Sequence, residues 1–131
     1  KLAMERLRAY VPFILRTGVG LAMMFLAIYE KILNPHLSAL VVQNFNLTAA
    51  IPVSPEMWVL SAGIVEFLVG LFIFIGFHTR LTVIIAFAVI SMTFFFFGEE
   101  VYSHVTLFGI LFAIFIYGGG KWSIDRLLER K

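Results

Sequence analysis

The chain contains no cysteine, which excludes disulfides, thiolate metal sites and cysteine nucleophiles and leaves the redox compartment open. Charge is also scarce: 14% of the 131 residues are Asp, Glu, Lys or Arg, against roughly 25% in soluble domains. No Gly-rich phosphate loop precedes a helix, no Ser/His/Asp arrangement is evident, and no two histidines stand at a spacing that would ligate a haem. A self-contained catalyst is therefore not expected. There is no low-complexity tract. The first apolar segment lacks the small-residue cleavage pattern of a signal peptide and is followed by further spans, so it is expected to stay as a helix. The chain opens on Lys1 rather than methionine, so a few residues are expected to precede it.

What is present is apolar. Hydrophobic residues make up 61% of the chain, 15 phenylalanines among them, which predicts one all-α membrane domain over residues 1–131 in contact with a lipid bilayer. Four spans are expected, at about residues 11–32, 57–77, 81–97 and 101–117, flanked by amphipathic ends at 1–10 and 122–131. The tight connections His78-Thr79-Arg80 and Gly98-Glu99-Glu100 make consecutive spans antiparallel neighbours. Between the first two spans, Asn34-Pro35 opens a long outer loop that ends at Pro52 and Pro55. His36 to Asn44 has helical spacing, and Asn46-Leu47-Thr48 matches the glycosylation sequon. Lys1, Arg6, Arg8, Arg80, Lys121, Arg126, Arg130 and Lys131 fall on one side of this topology. Of the cations at or beyond the ends of the spans, only Lys31 falls on the other. That asymmetry predicts an antiparallel four-helix bundle with both termini cytoplasmic, and it argues against a nucleic-acid partner.

Two charges lie inside the apolar segments. Glu66 sits near the middle of Met57 to Phe77, where a carboxylate costs on the order of 2.5 to 3.5 kcal/mol. It shares a face with Gly63 and Gly70, small residues that let another helix approach. Arg16 lies in the first span on a face with Gly20, Ala27 and Glu30. Antiparallel packing puts Arg16 and Glu66 within roughly two turns in depth, a gap that an arginine stem can close, so the two are expected to pair. Such a pair serves either as a structural ion pair that fixes register or as a proton relay or polar wall of a pocket.

A second constellation is expected on the outer side, where Glu30, Glu99, Glu100 and His104 converge, joined by His36 from the loop. Glu100 and His104 stand at i, i+4, as two ligands of zinc, copper or iron would, or as an ion pair would. The alternative is that Glu99 and Glu100 are solvated loop charges and that His104 hydrogen-bonds a neighbouring helix. The phenylalanines, Phe94 to Phe97 included, are read as packing and lipid-facing residues rather than a cofactor box.

Three patches resemble the DoxX family of small four-helix membrane proteins. The first is Leu15-Arg16 with Gly18, Gly20, Phe25 and Lys31. The second is Gly63, Glu66, Gly70, Gly76 and Thr79-Arg80. The third is the tail from Gly118 through Lys121-Trp122-Ser123-Ile124-Asp125. Gly119 stands where the family usually has proline, Trp122 where tyrosine is common, and Tyr29-Glu30 where a histidine or other small polar residue and a glycine are frequent. The resemblance implies association with membrane redox systems, among them quinone-linked thiosulfate oxidation and complexes tied to oxidative-stress enzymes.

The leading expectation is an accessory subunit that docks beside larger membrane protein subunits of an oxidoreductase complex, with quinone or copper, iron or zinc reached through those partners. One alternative is a small quinone- or metal-dependent membrane oxidoreductase using Glu66, Glu100 and His104. The other is a small-solute or proton transporter acting as an oligomer.

Overall fold

The computed structural model describes residues 2–34, 43–44, 46–49, 52–97 and 101–129, with the side chains of 47, 93–97 and 101–104 left aside. Every regular element among the described residues is helical. Helix α1 (Leu2–Arg8) leads into α2 (Val11–Leu26), whose Pro12 sits in the opening turn, where no intrahelical amide bond is lost. The helix continues as a π turn over Ala27–Ile32, closed by Leu33 N–H donating to the Ile28 carbonyl at 2.8 Å. Helix α3 (Pro55–Ile75) starts on a Ser54 cap, whose hydroxyl accepts from the Met57 amide at 3.3 Å, with Pro55 in the first turn. It ends at Gly76, which takes φ 72°, a left-handed conformation that glycine adopts without strain. Helices α4 (Thr79–Phe97), α5 (Val101–Tyr117) and α6 (Ile124–Glu129) complete the chain.

Val11–Ile32 and Pro55–Ile75, 22 and 21 residues, are long and apolar enough to cross a bilayer. The apolar stretches Thr79–Met92 and Val105–Tyr117 fall short of that length among the described residues. All four helices meet around Val19, Met23, Val69, Ile73, Val83, Ala86, Ile90, Leu111 and Ile114. Phe87 and Phe108 stack beside this core, with ring centroids 5.5 Å apart. Ile14, Phe25, Ile64, Val65, Leu68, Ile84, Phe112 and Ile116 face outward. In lipid an exposed apolar side chain loses nothing, so close packing must hold the helices together.

The closest packing is between α2 and α3. A Cβ on Gly20 would stand 2.8 Å from the Gly70 carbonyl oxygen, and one on Gly70 would stand 3.0 Å from the Gly20 oxygen. Both obstructions are backbone, so neither can swing aside. This contact fixes the register of the antiparallel pair: Arg16 comes to the level of Phe74, and Lys31 to the level of Gly63.

Gly20→Ala is expected to force the two helices apart and lower stability by about 1–3 kcal/mol, the usual cost of overpacking. Gly18→Ala, whose Cβ would meet nothing within 4 Å, should lose nothing. Thermal unfolding of the two variants in detergent checks the contrast.

Candidate functional site: a knot of helix ends and a buried ion pair

Arg16 is fully buried at the end of the bundle where both termini lie. A guanidinium carries five N–H donors in a rigid fork, and here all of them meet backbone carbonyls. Nε donates to Gly119 at 2.8 Å, Nη1 to Phe74 at 2.7 Å and Ile73 at 3.5 Å, and Nη2 to Lys121 at 3.0 Å and Trp122 at 3.3 Å. The Ile73 and Phe74 carbonyls belong to the last turn of α3, where the helix dipole favours a cation, and Ile73 accepts from the Gly76 amide as well, at 3.2 Å. The remaining three come from the segment after α5. One side chain of α2 therefore ties the end of α3 to the chain's tail.

Neighbouring side chains complete the knot in the same way. The Asp125 carboxylate accepts from the His78 amide at 2.6 Å and the Thr79 amide at 2.8 Å, which caps the start of α4. The Asp125 amide itself donates to the Gly76 carbonyl at 2.9 Å. Arg80 donates to the Phe115 carbonyl at 3.0 Å and the Ile116 carbonyl at 3.3 Å, capping the end of α5. Ser123 Oγ donates to the Gly120 carbonyl at 2.7 Å and accepts from the Arg126 amide at 3.2 Å, capping α6. Trp122 packs edge-on against Phe13, with centroids 4.8 Å apart, and lies 5.1 Å from Tyr10. His78 and Trp122 take left-handed φ values of 45° and 57°. A non-glycine residue holds that conformation where its surroundings over-determine it, as Asp125 and Arg16 do here.

At the far end of α2, Lys31 Nζ donates to Glu66 Oε2 at 2.6 Å, and the two residues are 3% and 7% exposed. Gly63 makes room for the lysine stem: a Cβ there would stand 2.8 Å from Lys31 Cβ. The π turn places the lysine. Its i→i+5 bonding fits roughly one more residue into a turn than an α-helix does, so the residues after Ala27 rotate back relative to α-helical spacing. Lys31 arrives on the buried face, and Glu30 is left half-buried beside it.

The expected pairing of Arg16 with Glu66 is thus not the one formed. Phe74, level with Arg16, lies two turns from Glu66 along α3, roughly 12 Å at 1.5 Å per residue. Nearer carbonyls take every arginine donor first. Lys31, expected as a charge at the outer end of the first span, supplies the countercharge. Sequence inspection missed Lys31 because it stands at the close of the first span and was counted with the loop charges; its i, i+4 spacing from Ala27 and its standing as the lone cation on its side were the available signals. Asp125 and Arg80 escaped because their roles are helix caps on other elements, which no periodicity reveals. Of the other expected cluster, only Glu30 is fully described. His36, Glu99 and Glu100 lie outside the described residues, and His104 is described only as backbone in the first turn of α5. Among the described residues no three His, Asp or Glu side chains group as a metal would require.

The family model for DoxX matches residues 11–99. No curated protein and no solved structure matches the chain. The matched region holds Arg16, Lys31, Glu66, Gly76, Thr79 and Arg80, and the tail that Arg16 binds lies beyond it.

Arg16→Met would leave its carbonyl acceptors without their donor, at about 1–3 kcal/mol for each that stays buried. The expected result is a loss on the order of 3 kcal/mol, with new proteolytic cleavage at Gly118–Gly120. Arg16→Lys should recover only part, since an ammonium has three donors and no fork. Unfolding curves and limited proteolysis in detergent read both.

Proposed function

The chain belongs to the DoxX family of membrane proteins, and we propose that it is a non-catalytic accessory subunit that docks beside larger membrane subunits of an oxidoreductase complex. It does so as a single domain, with α2, α3, α4 and α5 all crossing the bilayer and both termini on the cytoplasmic side. The cation distribution supports that orientation: Arg80, Lys121 and Arg126 gather with the termini, and the far end's Lys31 is neutralised by Glu66. The redox association rests on the family resemblance.

The observation that carries the non-catalytic role is how the intramembrane charges are spent. Arg16 gives all its donors to backbone carbonyls, and Glu66 is held by Lys31. Groups that serve proton or electron chemistry need a substrate in reach, whereas these hold helices together. Quinone or metal chemistry then resides in the partners. Purification from native membranes in mild detergent, followed by native mass spectrometry and a quinone-reduction assay, tests the proposal. Larger subunits at fixed stoichiometry, carrying the redox activity, are expected. A chain that emerges alone with bound quinone and turns over would overturn it.

A transport role has one observation in its favour, the π turn that delivers Lys31 to Glu66, since such turns are frequent at functional sites. The two roles separate on the ion pair. If it is structural, Lys31→Met alone should cost about 3–5 kcal/mol, because Glu66 is left buried without its partner. The double variant Lys31→Met/Glu66→Leu should then regain most of that stability, with proton flux in liposomes unchanged. A double variant that folds but abolishes a flux present in the parent would establish the transporter.

A further inference from the structure

Two grooves meet at the knot of helix ends. One is apolar, about 470 Å³, and runs along Phe13, Phe74, Trp122 and Leu127. The other, about 680 Å³, is polar and is lined by His78, Thr79, Arg80, Tyr117 and Glu129 among others. Ser123 and Arg126 line both, so Arg126 stands on the ridge between an apolar trough and a polar one.

We infer that the paired grooves bind one anionic phospholipid, with an acyl chain along Phe13, Phe74 and Leu127 and the phosphate beside Arg126 and Arg80. An apolar slot opening onto a cationic ridge has the shape and polarity of an amphiphile. It also lies where spans meet headgroups, with Trp122, Tyr10 and Tyr117 at the same end in the manner of an aromatic belt. The excess of cations at this end of the bundle, Arg80, Lys121 and Arg126 against Asp125 and Glu129, favours an anion. The Arg126 side chain is exposed, and its amide is fixed to Ser123 Oγ. Arg80 is pinned at the rim by its bonds to the Phe115 and Ile116 carbonyls. Two carboxylates share the polar groove. Asp125 is committed to the His78 and Thr79 amides, and Glu129 stands exposed in the last turn of α6. The inference does not depend on the accessory-subunit role.

The chain has two tryptophans, and Trp122 lines the apolar groove, so Trp58→Phe leaves a single reporter at the site. The full-length variant, reconstituted in phosphatidylcholine vesicles, is titrated with brominated phosphatidylglycerol and separately with brominated phosphatidylcholine. Quenching of Trp122 should favour the anionic lipid by about fivefold, the preference one arginine confers at an anionic surface. Arg126→Gln, on the exposed ridge, should bring that ratio close to one. Leu127→Ser should weaken quenching by both lipids and leave their ratio alone, and millimolar inorganic phosphate should change nothing. Equal quenching by both lipids in the parent, or an Arg126→Gln variant that keeps the full preference, would overturn the inference. Loss of the preference in inorganic phosphate would reduce the site to one for free anions and overturn it equally.

Discussion

A single buried guanidinium, answered by backbone carbonyls instead of a carboxylate, is the constraint on which the rest of this structure depends. A helix that ends inside or at the edge of a bilayer leaves its last carbonyls without amide partners, and lipid offers them none. Arg16 answers that need for α3 and, in the same act, recruits the tail's carbonyls from Gly119, Lys121 and Trp122. With the tail held there, Asp125 reaches the first amides of α4, while Arg80 reaches back from α4 to the last carbonyls of α5. Each helix end is thus satisfied by a side chain from another element.

The spending of Arg16 at one end decides what Glu66 must do at the other. The glycine contact of Gly20 with Gly70 sets the register, and in that register the arginine is out of reach. A carboxylate at this depth is tolerable only if it is paired. The π turn at the close of α2 supplies Lys31 at the cost of regular helical bonding over Ala27–Ile32. The two polar devices differ in kind, since one distributes a charge over many dipoles and the other neutralises a charge with its opposite. Both leave a bundle whose outer surface is apolar and whose inner charges are accounted for.

Much of this was legible before any coordinates. Glycine spacing marked the face on which α2 and α3 meet, and hydropathy placed the two long spans. The start of α3 was not legible: the Ser54 cap and Pro55 begin the helix two residues before the apolar run from which the span was read. The burial of Arg16 and Glu66 also followed from their place in apolar segments. Their partners did not, because pairing depends on register, and register is set by a backbone contact between two glycines, which leaves no periodic trace. The π turn is equally silent, since nothing in Ala27–Ile32 distinguishes it from an α-helical sequence. The tail motif from Gly118 to Asp125 was visible as a motif, but its purpose appears only once the segments it caps are brought together in space.

Amide hydrogen exchange, read by mass spectrometry on the unmodified chain in lipid nanodiscs, tests most directly whether the helix ends form one interlocked unit. If they do, the amides of residues 76–80 and 118–126 exchange together, through a single opening slower than fraying of α1. A tail that exchanges orders of magnitude faster than residues 76–80 would mean that Arg16 does not hold it, and the dependence of the fold on that arginine would be wrong.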